Sequence, residues 1–235
     1  MFYQLYRYMK KIYFVLVAAI AVAAVCAFTS CSNTEKKKLG EYELTENNGK
    51  YGLKSEGGSV VLAPEFDEIV EDTVNKAVFA KTGELTSIVV QSSVIASGIK
   101  IEAVEPVEGN PDYAYIKADG KKMLWKIGTS STFGPFEDIK LLDGIIFMSQ
   151  DGKWGAATIN LQALAPRSYS KVYVVKNGDD LAVLVKAKHG WEMYTGDGGV
   201  SDGSRYDIPT KKLEPKIKAL KLEGEIGVAK VDWKL

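Results

Sequence analysis

From residue 41 onward, apolar positions come in short runs rather than in helical stripes. Ala77-Val78-Phe79-Ala80, Tyr113-Ala114-Tyr115-Ile116, Ile145-Ile146-Phe147-Met148 and Leu181-Ala182-Val183-Leu184-Val185 are rich in residues that pack well on a pleated surface. Each run lies upstream of a glycine turn, and Asp119-Gly120 and Asp151-Gly152 are strong tight-turn dipeptides. After residue 40 no stretch keeps a helical period with capping residues at both ends. The pattern predicts an all-β fold.

The runs repeat at a spacing of about 35 residues. Gly49-Lys50-Tyr51-Gly52 recurs as Gly152-Lys153-Trp154-Gly155. Pro64-Glu65-Phe66-Asp67-Glu68-Ile69 recurs as Pro135-Phe136-Glu137-Asp138-Ile139, and again in Pro166-Arg167-Ser168-Tyr169-Ser170-Lys171-Val172. Ile101-Glu102-Ala103-Val104 keeps the same ending. Each unit reads as strand, glycine turn, strand, loop and short strand. A unit this small cannot bury its own apolar face, so neighbours must stack. The expected architecture is a set of tandem β-meanders forming either an open superhelical array or a small propeller-like ring.

Before the repeats the pattern is different. Arg7, Lys10 and Lys11 precede an almost unbroken apolar run from Ile12 to Phe28, and Thr29-Ser30-Cys31 gives way to polar Ser32-Asn33-Thr34-Glu35-Lys36. That succession reads as a secretory signal with a small-residue cleavage site, and the rival reading is an uncleaved membrane anchor. Either way the folded part faces away from the cytoplasm. Met9 is an alternative start. The segment resembles a bacterial lipoprotein signal, which implies a lipid on Cys31 and a cleaved leader of residues 1–31. Cys26 follows the bulkier Val25 and is the poorer lipid site. Residues 32–40 are polar and lysine-rich, suited to a flexible tether. Residues 41–235 then form the repeat domain, with no Pro/Ser-rich linker to divide it.

Charge and cysteine content narrow the chemistry. The chain has 30 basic and 30 acidic residues, and setting aside the three bases of the leader leaves 27 against 30. A nearly balanced surface argues against nucleic acid as a partner. Both cysteines lie in the leader and His189 is the single histidine, so a His/Cys zinc site cannot be assembled. No cofactor or metal is expected.

The Gly-Lys-Trp-Gly turn followed by a Pro-x-Tyr-Asp-x-Ile-like segment resembles the WG-repeat family. Two units, Tyr42 to Glu71 and Gly144 to Val175, carry both halves of the motif. The unit Tyr113–Leu142 keeps Asp119-Gly120-Lys121 and Pro135-Phe136-Glu137-Asp138-Ile139 but lacks the Trp-Gly pair, and Ala77–Val107 keeps little beyond Gly83 and the Ile101–Val104 ending. Beyond Leu181, Gly190-Trp191 and Ile217-Lys218-Ala219-Leu220 match loosely. With the leader, the chain looks like a cell-envelope lipoprotein of the kind abundant in Bacteroides-like bacteria. The resemblance implies a non-enzymatic binding or scaffolding module, with membrane attachment through Cys31 and an envelope protein or glycan as partner. Ser32 gives no inner-membrane retention signal by the same resemblance. Outer-membrane attachment is therefore expected, with periplasmic and surface orientations both open.

The repeating residues have a structural reading and a functional one. Tyr51, Phe66, Phe136, Trp154 and Tyr169 are expected to fill layers between units, and the alternative is a sugar-stacking groove. Gly49 and Gly152 belong to the turns, while Gly52 and Gly155 are expected where a side chain is forbidden. Enzyme-like strings are weaker. Ser168-Tyr169-Ser170-Lys171 and Lys81-Thr82-Gly83 occur in the wrong order for a penicillin-binding enzyme, and Ser97-Gly98-Ile99-Lys100 matches Ser-x-x-Lys too. Gly196–Gly203, with Asp197 and Asp202, reads as a hairpin tip with weak calcium binding as its alternative. Glu68, Glu71, Asp72, Asp179 and Asp180 read as solvated turn residues. Lys216-Ile217-Lys218-Ala219 is expected to be an edge strand kept soluble by lysines, and Trp233 to cap the last unit. An envelope hydrolase built on His189 is the most distant possibility.

Overall fold

Valine-, isoleucine- and aromatic-rich runs bounded by residues that tolerate positive φ leave the chain little choice but hairpins. The computed structural model describes residues 37–195, 205–206, 210–220 and 222–231. The first sheet holds β1 (Lys38–Leu39), β2 (Tyr42–Asn47), β3 (Lys50–Ser55) and β4 (Val60–Phe66). The second holds β5 (Glu68–Asp72), β6 (Ala77–Thr82), β7 (Leu85–Val90) and β8 (Ser93–Ile99). The third holds β9 (Ile101–Val107), β10 (Asn110–Ala118), β11 (Lys121–Lys126) and β12 (Thr132–Phe136). The fourth holds β13 (Asp138–Leu142), β14 (Ile145–Gln150), β15 (Lys153–Thr158) and β16 (Ala163–Tyr169). In the fifth, β17 (Val172–Asn177), β18 (Asp180–Ala187), β19 (Gly190–Thr195) and β20 (Arg205–Tyr206) are joined by β21 (Ile226–Lys230).

Within each meander the pairing is antiparallel. The β2–β3, β10–β11 and β14–β15 turns place two consecutive residues at positive φ: Asn48 and Gly49 (51° and 76°), Asp119 and Gly120 (51° and 69°), and Asp151 and Gly152 (52° and 64°). That is the left-handed pair a two-residue hairpin demands. Between sheets there is no loop at all. Asp67, Lys100 and Glu137 are each the lone residue between a fourth strand and the next first strand, and Ser170-Lys171 fills the same place before β17. One bent strand thus serves two sheets, and the spacing of its corners is the sequence repeat of about 35 residues.

The unbroken apolar runs have a simple cause: their strands are covered on both faces. On β14, Ile145 and Phe147 face the fifth sheet while Ile146 and Met148 face the third. On β17, Val172 and Val174 join the fourth sheet, and Tyr173 and Val175 lie on the opposite face. Period-two alternation is present, but both sides are apolar. Four clusters join the sheets in sequence order. Tyr42, Leu53 and Leu62 meet Val78, Ala80 and Val89, and Ala77, Ile88 and Val90 meet Ala114, Ile116 and Trp125. Val107, Leu124 and Phe136 meet Ile139, Leu141 and Ile146. Phe147, Trp154 and Leu164 meet Val172, Val174, Val183 and Val185.

Among the described residues these clusters link sequence neighbours alone. The far face of the fifth sheet is covered by helix α1 (Thr210–Ala219), whose Ile217 packs on Tyr173, Val175, Leu184 and Met193. The array is therefore an open series of meanders, and of the two expected arrangements the ring is not the one formed.

Helix α1 corrects the reading of Lys216–Ala219 as an edge strand. Four alternating residues satisfy a strand period and a helical one equally well, and Pro215 inside the segment hides the helical pattern. Ile217 points inward, Leu220 packs on the same cluster three residues later, and Lys216 and Lys218 are exposed. The body begins at Lys37, so β1 occupies part of the segment read as tether and pairs Lys38 with Glu43 and Leu39 with Tyr42. Cys31, the hairpin tip expected over residues 196–203 and Trp233 all fall outside the described residues.

Candidate functional site

The motif residues occupy one recurring place, where the third and fourth strands cross. Tyr51 stands opposite Phe66, and Trp154 stands opposite Tyr169. The same register pairs Thr86 with Ile99 and Lys122 with Phe136 in the two units that lack the aromatic-Gly pair. Immediately after each pair the fourth strand bulges. In the first and fourth sheets, three residues (63–65 and 166–168) oppose one glycine, Gly52 or Gly155. A Cβ on Gly52 would sit 2.6 Å from the Leu62 carbonyl oxygen, and one on Gly155 2.7 Å from that of Ala165. Those glycines are required by space.

The second and third sheets solve the same crossing differently. Ser87 and Met123 replace the third-strand glycine, only two residues oppose each, and a glycine appears on the bulged strand instead. Gly98 has φ +60° and Gly134 has φ +128°. The Ser87 hydroxyl accepts the Gly98 N–H at 3.1 Å. One glycine per crossing is retained, but it changes strand, as a bulge with a left-handed residue allows. This explains why the motif fades in the middle of the chain while the architecture does not.

Burial separates the aromatics. Trp154 and Phe136 are buried, Phe66 and Tyr169 are half-buried against inter-sheet clusters, and Tyr51 is half-buried. The Trp154 indole N–H donates to the Glu225 carboxylate at 2.7 Å. Phe136 packs 5.2 Å from Phe133, and the Arg167 guanidinium lies 4.8 Å from its ring centre. Burial, followed by the charge of Glu192, pushes the Tyr169 phenol above its ordinary range. Phe66, Phe136, Trp154 and Tyr169 join the clusters between sheets. Trp125, which carries no Trp-Gly pair, is fully buried and donates to the Thr129 carbonyl at 2.8 Å. Its signal in the sequence is the apolar Leu124-Trp125 step on a third strand.

Corner carboxylates tie one sheet to the next hairpin. Asp67 accepts the Gly83 N–H at 3.0 Å and Glu137 accepts the Gly152 N–H at 3.3 Å, while Glu102 on β9 accepts the Gly120 N–H at 2.8 Å. Lys50 first, and the Gly83 N–H second, hold Asp67 below the ordinary carboxylate value of 3.8. A depressed pKa contributes stability above the unfolded value and loses it as pH falls through the folded one. Asp67→Asn is therefore expected to melt lower than the wild type at pH 7, with the difference closing below about pH 4. Parallel melting curves across pH 3–7 check this.

Residues singled out for chemistry do not converge. His189 is exposed in the β18–β19 turn, Ser168 is exposed on the β16 bulge, and Lys171 sits at a corner. Lys81-Thr82-Gly83 belongs to the β6–β7 hairpin, Glu68, Glu71 and Asp72 lie along β5, and Asp179 and Asp180 form the tip of β17–β18. Among the described residues, no group of three or more His, Cys, Asp or Glu is placed to hold a metal, and every buried side-chain nitrogen and oxygen has a partner. Among them too, no helix is long and apolar enough to cross a membrane. An open depression of about 380 Å³ lies beside α1, lined by Trp191, Glu214, Ile217, Lys218, Leu222 and Glu223. The Trp191 ring is stacked on Tyr173, with centroids 5.7 Å apart and an interplanar angle of 27°.

No protein-family model matches the chain, and no curated protein sequence does. Among solved structures it is similar to Kluyveromyces lactis Hsv2, at 10% identity and a TM-score of 0.25 over 68% of this chain and 58% of that one. It is also similar to PorZ of Porphyromonas gingivalis, described as an essential bacterial surface component of the type-IX secretion system, at 12% identity and a TM-score of 0.23. That match covers 67% of this chain and 26% of PorZ. Apo AztD from Citrobacter koseri is matched at 9% identity and a TM-score of 0.23, over 66% of this chain and 54% of that one. The chain thus spans between about a quarter and three fifths of the length of these three structures.

Proposed function

We propose that the chain is a lipid-anchored protein of the outer membrane whose stacked WG-like meanders bind or hold an envelope partner rather than transform a substrate. The observation that carries the reading is the use made of the repeated residues. The recurring rings and glycines are spent on packing and on strand crossings, and the polar residues are spread singly over hairpin tips and corners. What the repeat leaves outward is a series of similar strand edges and hairpin tips, recurring features of the kind on which repeat proteins bind other macromolecules. The apolar leader ending at Cys31 supports the lipid anchor by its resemblance to lipoprotein signals.

Crosslinking in cells followed by purification of the native lipidated protein tests the binding role. Recovery of one envelope protein in stoichiometric amounts is the expected result, and recovery of the bait alone counts against it. Cys31→Ala is expected to abolish fatty-acid labelling and move the body from the membrane to the soluble fraction. A variant that still labels would overturn the assignment of Cys31. A second reading, glycan binding, is favoured by the depression lined by Trp191, Glu214 and Glu223, whose carboxylates suit sugar hydroxyls, with the Trp191 ring itself held by Tyr173 and Lys186.

A further inference from the structure

Four corners join the five sheets, and at three of them the chain seats a carboxylate on the next hairpin tip. Asp67 takes the Gly83 N–H, Glu102 the Gly120 N–H and Glu137 the Gly152 N–H. Ion pairs complete the balance. Lys50 pairs with Asp67 and Lys81 with Glu68 at the first corner, and Lys122 with Asp138 at the third. At the second, Lys100 holds the corner and pairs with Glu84 at 2.7 Å. Cation and acid are matched within the chain at all three.

The fourth corner keeps the backbone and reverses the charge. Lys171 stands directly before β17, the place that Asp67 holds before β5 and Glu137 before β13. Val172 then opens the strand, where Glu68 and Asp138 open the earlier ones. The main-chain tie to the second strand is retained. The Lys171 carbonyl accepts the Lys186 N–H at 3.0 Å, and the Asp67 and Glu137 N–H groups donate to the Lys81 and Ser149 carbonyls at 2.7 and 3.2 Å. Two residues beyond Lys186, the β18–β19 tip presents an exposed Lys188, whereas the earlier tips carry Glu84, Asp119 and Asp151. Among the described residues neither Lys171 nor Lys188 makes an ion pair. Of the acids on adjoining strands, Glu225 receives the Trp154 indole N–H and Glu192 the Tyr194 hydroxyl. A place that holds a carboxylate three times is here framed by lysines, and the chain brings no acid to it.

We propose that the Lys171–Lys188 corner docks an aspartate- or glutamate-rich segment of a partner protein, whose carboxylate takes the place that Asp67, Glu102 and Glu137 fill from within the chain. The occupant follows from the repeat: the group seated at the other corners is an acidic side chain on a polypeptide. Complementary charge of this kind fixes orientation and excludes basic partners. The inference rests on the reading of the chain as a binding module and names the chemistry of what it binds.

The test uses the purified full chain in neutral detergent at about 0.15 M salt, where only close charges act. A hexaglutamate peptide capped at both ends is the probe. Binding is the expected result, weakened about tenfold by Lys171→Glu, which places an acid in the corner and repels the incoming one. Lys188→Gln, on an exposed tip where folding is little affected, is expected to weaken it too. Lys126→Glu, with the same charge change at an exposed position on the third sheet, is expected to leave it unaltered. No binding to the wild type overturns the proposal, and so does an equal loss in Lys126→Glu, which would mean net charge alone. Binding of glycerol phosphate with none of the peptide also overturns it, making the corner a phosphate or headgroup site. Because the titration needs no cellular partner, its failure leaves a positive crosslinking result intact. Lys171-dependent peptide binding beside a failed crosslink would count against the envelope partner alone.

Discussion

Trp154→Ala is expected to lower stability by about 3–5 kcal/mol, the usual cost of removing a large buried aromatic. For a body of this size that corresponds to a loss of roughly 6–20 °C in Tm. The reason is position. Trp154 is only 6% exposed and lies in the cluster that joins the fourth and fifth sheets, with Phe147, Leu164, Val172 and Val185 around it. Its indole N–H also holds Glu225, the residue that leads into β21. Truncation therefore opens a cavity between two sheets and frees the last strand's first anchor. Trp154→Phe separates the two losses: it retains most of the packing and forfeits the hydrogen bond, at about 1–2 kcal/mol. Thermal and denaturant melts of the two variants check both figures. Equal effects would mean that the hydrogen bond, not the packing, carries Trp154.

The second large effect is at Gly155. An added Cβ lies 2.7 Å from the Ala165 carbonyl oxygen and 2.9 Å from the Arg167 backbone nitrogen. Backbone atoms cannot rotate out of the way as a side-chain end can, so the bulge itself must move. Gly155→Ala is expected to cost about 1–3 kcal/mol, and Gly155→Val more, because overpacking forces strain into the fourth strand. Gly152, three residues earlier in the β14–β15 turn, is the informative contrast. Nothing lies within 4 Å of a Cβ there, but φ is +64°. Gly152→Ala therefore meets only the conformational cost of a left-handed residue, roughly 1–2 kcal/mol. A Gly152→Ala variant less stable than Gly155→Val would refute the crossing geometry.

Much of the architecture is legible in the residues, and where it is not, the reason is physical. The all-β class follows from Val-, Ile- and aromatic-rich runs broken by Asp-Gly turns, and tandem meanders follow from the repeat. The weak units are weak in sequence because Ser87 and Met123 take the place of Gly52 and Gly155, and the needed glycine moves to Gly98 and Gly134 on the opposite strand. A motif read along one strand cannot register a compensation made across the sheet. Helix α1 is hidden for another reason: Ile217 flanked by Lys216 and Lys218 fits a half-wet strand as well as a helix, and only the Tyr173 face decides between them. The parallel return of β21 has no local signal at all, since its pairing with β17 spans more than fifty residues. As for a functional site, the sequence offers isolated strings such as Ser168-x-x-Lys171 and a single histidine, and folding leaves them apart.

The open series has a direct consequence for how stability is distributed. If each sheet rests only on its sequence neighbours, damage at one interface spreads in both directions and fades with distance. Native-state hydrogen exchange on wild type and Trp154→Ala measures this. The account predicts that amides of β13–β19 and β21 lose most protection, that β9–β12 lose less, and that β2–β4 retain nearly all of theirs. A loss as large in β2–β4 as in β17 would mean that the first and last sheets support each other, and would contradict an open series.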